Sequence, residues 1–160
     1  MTIELITFDL DDTLWSVQPV IVAADHKLRA WLAEHAARVE VLTPERLQQL
    51  RAEVVQLQPE LDRRVSEVRY QMLLRAFLQS GYGEVEARET AEQAFQVFLA
   101  ARQNVELFAD VRPTLAQLCN AYMLGALSNG NADVRRVGLA EYFSFALNAD
   151  ALGVAKPEPA

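Results

Sequence analysis

Three short stretches carry residues able to do chemistry on a small anion. The first is Asp9-Leu10-Asp11-Asp12-Thr13-Leu14, which places three acids within four residues. Carboxylates at i and i+2 lean to the same side if strand geometry persists through them. In such a pair one carboxylate can attack an electrophile and the other can move a proton. The two can also hold a hard cation such as magnesium. The second stretch is Ser128-Asn129-Gly130-Asn131. Its hydroxyl, its amide and the backbone N–H groups at Gly130 can cradle a phosphoryl oxygen. The third, Lys156-Pro157, offers one ammonium. Each has a plainer reading as well. Asp and Thr favour turns and helix caps, Ser-Asn-Gly-Asn is an ordinary turn, and a lone lysine is usually solvated.

For these groups to meet, the chain must bring three strand ends together. Residues 3–8 form an apolar run that leads straight into the first acids. Its composition suits a strand buried on both faces, as in a parallel sheet, where ligands sit outside the carboxyl ends. Residues 123–127 and 143–147 read as a second and a third strand. A helix is expected from Pro113 to about residue 121, with Leu115 and Leu118 inward, and a short one from Ala132. Between about residues 19 and 104 the pattern is helical. Val20, Ala23, Ala24, Leu28, Trp31 and Leu32 fall on one stripe. Thr43-Pro44-Glu45 is a helix start, followed at helical spacing by Leu47, Leu50, Val54 and Leu57. A third helix carries Val65, Val68, Met72 and Phe77 and stops at Ser80-Gly81-Tyr82-Gly83. A fourth, from Val85 to about residue 103, carries Ala91, Ala94, Phe95 and Phe98. The expected class is α/β, a Rossmann-like parallel sheet with an inserted all-helical bundle and right-handed crossovers.

Together the three stretches resemble the motifs of the haloacid dehalogenase-like phosphatase superfamily. Asp9-Leu10-Asp11-Asp12-Thr13 is similar to its first motif, Ser128 to its second and Lys156 to its third, in the family's order. The resemblance implies that Asp9 is a nucleophile forming an aspartyl-phosphate and Asp11 a general acid/base. It implies that Thr13 steadies the loop and, with Ser128, Asn129, Gly130 and Lys156, helps bind phosphate, and that magnesium is held at Asp9 and Asp11. The dehalogenase branch lacks the second acid, so Asp11 favours phosphoryl transfer. The implied organisation is a core of residues 1–15 and 109–160 with a C1 helical cap at 16–108, hinged near Ser16 and Ala109. Several stretches, among them Gln18-Pro19-Val20-Ile21 and Gln58-Pro59-Glu60-Leu61, are similar to the flavin-mononucleotide phosphatases. Those enzymes also act on 5-amino-6-(5-phospho-D-ribitylamino)uracil. The implied function is magnesium-dependent hydrolysis of a small phosphorylated metabolite, flavin mononucleotide or a riboflavin precursor. The alternatives are a haloacid dehalogenase and a non-catalytic binding module that keeps relics of the motifs. A receiver domain is disfavoured by the large insert after the first strand.

Bulk properties narrow the setting. The 160 residues carry a net charge of −7, with 22 acids against 15 bases. That argues against nucleic-acid and anionic-membrane surfaces, so an anionic substrate depends on local groups. Cys119 is the only cysteine; it lies in an apolar helical pattern and is expected in the core. One cysteine and no basic leader fit a cytoplasmic protein. His26 and His35 lie nine apart and are assigned to no metal. Trp15, Trp31 and Tyr70 are candidates to stack on a flat ring, with core packing expected for Trp31.

The chain departs from the family pattern after Lys156. The fourth motif, an acidic pair on a further strand, has no counterpart here. The expectation is therefore a C-terminally incomplete core, weak magnesium binding and an uncertain activity for this form. The first strand is expected to be an open sheet edge that invites self-association.

Overall fold

The computed structural model describes residues 3–157; the outermost residues of the expected core, 1–2 and 158–160, lie outside that range. Three strands, β1 (Leu5–Phe8), β2 (Met123–Ser128) and β3 (Phe145–Asn148), form a parallel sheet in that order. Phe8 is level with Ala126, and Ser128 with Asn148. Parallel strands in this register end on one rim. The helices are α1 (Val17–His35), α2 (Pro44–Leu57), α3 (Val65–Gln79), α4 (Glu84–Arg102), α5 (Val111–Leu118) and the single turn α6 (Ala149–Leu152). The α/β class expected from the sequence is the observed one. No helix among the described residues is long and apolar enough to cross a membrane.

The chain divides into two compact units, Met1–Ile21 with Arg102–Ala160, and Val22–Ala101. In the first, Leu10, Leu14, Trp15, Leu115, Leu124 and Leu139 centre the core. Gly125 lies under the Phe145 ring, and a Cβ there would sit 2.2 Å from Phe145 Cζ. The ring covers β2 only because that position has no side chain.

The second unit is a helical bundle. Thr43 starts α2 as expected: its Oγ1 accepts from the Arg46 N–H at 3.2 Å, and Pro44 follows. Ala24, Leu28, Leu50, Leu73, Phe77 and Ala91 are buried. Within this apolar packing Arg69 pairs with Asp25 at 2.8 Å and lies over the Phe98 ring, 4.1 Å from its centroid. Burial pulls the Arg69 guanidinium down from its ordinary value, and Asp25 opposes the shift.

Four expectations are corrected. Strand β1 is not buried on both faces: Leu5 and Thr7 are exposed, Ile6 and Phe8 half-buried. It pairs with β2 alone among the described strands, so one side has no neighbour. The segment after Ala132 is not a helix. Val137 N–H reaches Asp133 O and Leu139 N–H reaches Val134 O, and Gly138 at φ 74° ends the turn there. Cys119 is exposed rather than in the core; it keeps the four-residue spacing of Val111 and Leu115 but stands at the C-cap, past the last turn of α5. Trp15 is fully buried and offers no face to a ligand.

Two stability outcomes follow. Gly125→Ala is expected to cost about 1–3 kcal/mol by overpacking, read as a lowered urea midpoint, with Phe145→Leu restoring part of it. Asp25→Ala is expected to cost roughly 3 kcal/mol, because it strands a buried guanidinium. An unchanged midpoint in either single variant contradicts the packing described.

Candidate active site

Strand β1 delivers Asp9 to the rim, and the chain then coils once. Leu14 N–H bonds to Leu10 O at 2.8 Å and Thr13 N–H to the same oxygen at 3.2 Å. Asp12 takes φ 56°, the left-handed region that Asp tolerates better than most residues. Its Oδ1 accepts the Val17 N–H at 2.9 Å, so it satisfies a donor at the start of α1. Thr13 is exposed at the tip of this coil. The third acid of the motif therefore has a backbone task, and the other two remain for chemistry.

Asp9 lies half open to solvent, and Lys156 Nζ donates to its Oδ1 at 3.1 Å. The lysine reaches it along a built path. Asn148, the last residue of β3, caps α6 by accepting from Ala151 N–H at 2.8 Å; Gly153 at φ 73° turns the chain out of it. Asn129 then clamps the lysine's main chain from both ends of its amide: Nδ2 donates to Lys156 O at 3.1 Å, and Oδ1 accepts Lys156 N–H at 2.7 Å. Lys156 Nζ also donates to Leu127 O at 2.6 Å.

Asp11 is placed differently. Its side chain is 20% exposed. Trp15 Nε1 donates to Oδ1 at 2.9 Å, and Arg102 Nη2 donates to Oδ2. The loop after β2 lies against this carboxylate: a Cβ on Gly130 would be 2.3 Å from Asp11 Oδ2 and 3.4 Å from Ser128 Oγ. Ser128 is 5% exposed, and its Oγ accepts the Gly130 N–H at 3.0 Å. A hydroxyl that accepts there still has its own proton to donate. The geometry thus brings Asp9, Asp11, Ser128, Asn129, Gly130 and Lys156 to one rim of the sheet.

Residues outside the motifs complete the arrangement. Arg102 Nε donates to Asn131 Oδ1 at 2.6 Å. Gln103 donates to Asn131 O at 3.1 Å and accepts the Asp133 N–H at 2.9 Å. Sequence reading passed over both as the end of an amphipathic helix. The signal was an Arg-Gln pair where the apolar stripe of α4 stops, too common a pattern to single out.

The donor set fits a hydrated magnesium. This ion keeps several waters and takes one or two carboxylates; the Asp9 carboxylate and the Asp11 carbonyl oxygen are of the right kind. No cluster of three or more His, Cys, Asp or Glu occurs among the described residues. Asn129→Ala tests the lysine clamp. It removes two bonds to the Lys156 main chain, and turnover is expected to fall on the order of 100-fold if the ammonium drifts by about 1 Å. Unchanged kinetics in that variant would show that the loop holds Lys156 without Asn129.

A family model described as haloacid dehalogenase-like hydrolase matches residues 3–160. Among curated proteins, the chain is similar to the 5-amino-6-(5-phospho-D-ribitylamino)uracil phosphatase YigB of Escherichia coli (strain K12), at 33% identity over 155 residues. The match covers 97% of this chain, which spans 65% of the length of that relative. Among solved structures, the 2-haloacid dehalogenase from Pseudomonas syringae pv. Tomato DC3000 matches with a TM-score of 0.93 at 46% identity, covering 99% of this chain and 69% of that one. The HAD-hydrolase YfnB from Bacillus subtilis shares the fold at a TM-score of 0.61 and 17% identity, over 99% and 68% of the two chains. The acids at the end of β1, the loop after β2 and a family match over nearly the whole sequence lead to one conclusion: the chain belongs to the haloacid dehalogenase-like hydrolase family.

Proposed function

We propose that the chain carries the catalytic loops of a magnesium-dependent phosphomonoester hydrolase acting on a small phosphorylated metabolite. Flavin mononucleotide and the phosphorylated riboflavin precursor named for YigB are the first substrates to test. The observation that carries the reading is the second acid: the Asp11 carboxylate sits at the rim against Gly130 and Ser128, beside the strand end that bears Asp9. An alcohol leaving from phosphorus needs a proton, and a second carboxyl beside the nucleophile can supply it.

In the proposed cycle an Asp9 oxygen attacks phosphorus, a P–O bond forms to the carboxylate, and the ester P–O bond breaks. Asp11, protonated for this step, gives its proton to the leaving alkoxide. Asp11 then takes a proton from water, and the resulting hydroxide attacks the aspartyl-phosphate to release phosphate and regenerate Asp9. Lys156 must leave Asp9 enough freedom to attack while staying close enough to offset phosphate charge. Its half-exposed pairing with Asp9 is compatible with such an exchange. The Ser128 hydroxyl is placed to donate to a phosphoryl oxygen. Bound magnesium would supply charge neutralisation for the phosphoryl group.

A second reading is a haloacid dehalogenase, favoured by the 46% identity to the Pseudomonas syringae structure of that name. Halide departs without a proton, so Asp9 would suffice as nucleophile. The two readings separate on one pair of variants. Asp9→Asn is expected to abolish hydrolysis of para-nitrophenyl phosphate and release of chloride from 2-chloropropionate alike. Asp11→Asn is expected to slow the phosphate ester roughly 100-fold or more. Chloride release as the main activity, indifferent to Asp11→Asn, would establish the dehalogenase instead. Folded Asp9→Asn that still turns over either compound removes Asp9 from the nucleophile role.

A further inference from the structure

We infer that Arg102 is the positioning residue of the second acid, holding the Asp11 carboxylate in register with the loop after β2; the inference rests on reading Asp11 as the acid/base. Arg102 lies outside every stretch that marks the family, yet it is the most buried charged residue described, at 1% exposure. Its Nε and Nη2 edge meets two acceptors at once, Asn131 Oδ1 and Asp11 Oδ2. Its Nη1 is buried without a hydrogen-bond partner. A guanidinium stripped of water is favourable only when well partnered, and an unpaired buried nitrogen is unfavourable in itself. Stability alone gives little reason to keep such a group here, and buried polar groups retained at a local cost concentrate at functional sites.

What the guanidinium achieves is orientation. Trp15, itself fully buried, holds Asp11 Oδ1 while Arg102 holds Oδ2, so neither carboxylate oxygen can rotate away unopposed. Gly130 leaves room for the pair: a Cβ there would lie 2.3 Å from Asp11 Oδ2 and 3.2 Å from Arg102 Nη2. Through Asn131 the same guanidinium grips the loop that carries Ser128. The spacing between the acid/base and that loop is therefore set by Arg102 and not only by the pairing of β1 with β2. A planar fork can serve two acceptors at fixed separation, whereas an ammonium is a point charge that serves them less well.

The test uses Arg102→Met, Arg102→Lys and Gly130→Ala in the whole chain, with circular dichroism to confirm folding. The Trp15 indole N–H, followed by NMR and hydrogen exchange, reports the clamp independently of activity. It is expected to shift and to exchange faster in Arg102→Met and Gly130→Ala, while the Trp31 indole stays put. With para-nitrophenyl phosphate and magnesium, kcat is expected to fall on the order of 100-fold in Arg102→Met with KM changed less than about threefold. Arg102→Lys is expected to recover part of kcat. A folded Arg102→Met with an unchanged Trp15 indole overturns the inference, as does a loss carried by KM alone. Should Arg102→Met fail to fold, Gly130→Ala decides: an unmoved indole and unchanged kcat overturn the clamp. Should the parent chain, which spans 65% of the phosphatase relative's length, show no turnover, the indole measurement alone decides on Arg102.

Discussion

Three parallel strands in register constrain everything else in the first unit. With Phe8 level with Ala126, and Ser128 with Asn148, the strand ends share one rim. Residues more than a hundred positions apart become neighbours without any contact of their own having to draw them together. The register in turn depends on close approach within the sheet, as where the Phe145 ring of β3 lies over its strand partner Gly125 on β2. A slip of one residue would turn Ser128 to the other face of the sheet.

At the rim, each of the first two acids has one cation, and burial makes the two pairs unlike. Asp9 and Lys156 are both 45% exposed, so water screens their attraction and the pair can open cheaply. Arg102 is 1% exposed and Asp11 20%, so separating them would leave a charge in a poorly solvated place. The arrangement leaves the first acid available and keeps the second in a set orientation. Asp12, the third, caps the chain entering α1 and takes no part in either pair. Three adjacent acids of similar intrinsic chemistry thus acquire three tasks from their surroundings.

The family's fold accommodates different displacements on the same sheet, and overall likeness does not select among them. The chain matches a structure named for a dehalogenase at a TM-score of 0.93 and a curated relative named for a phosphatase at 33% identity. What separates the two chemistries is whether the leaving group must be protonated. With Asp11 as the proposed acid, that question turns on one carboxylate held by Trp15 and Arg102.

The sequence by itself determined the alternation of strands and helices, the start of α2 at Thr43-Pro44, and which acids and hydroxyl stand at strand ends, with the ammonium in the loop beyond the third strand. These are local properties: hydrophobic period, capping chemistry and motif order can be read from neighbours in the chain. It misplaced Cys119 and the segment after Ala132, because a helix that ends one residue early, or one glycine at positive φ, reverses a local expectation. It was silent on Arg102 and Gln103, and it left Trp15 open to the wrong task. Only the tertiary structure decided those, since the partners of Arg102 lie 91 positions away at Asp11 and 29 away at Asn131. A guanidinium at a helix end is solvated by default. Its burial against a carboxylate arises from the packing of distant segments, which no window of sequence contains.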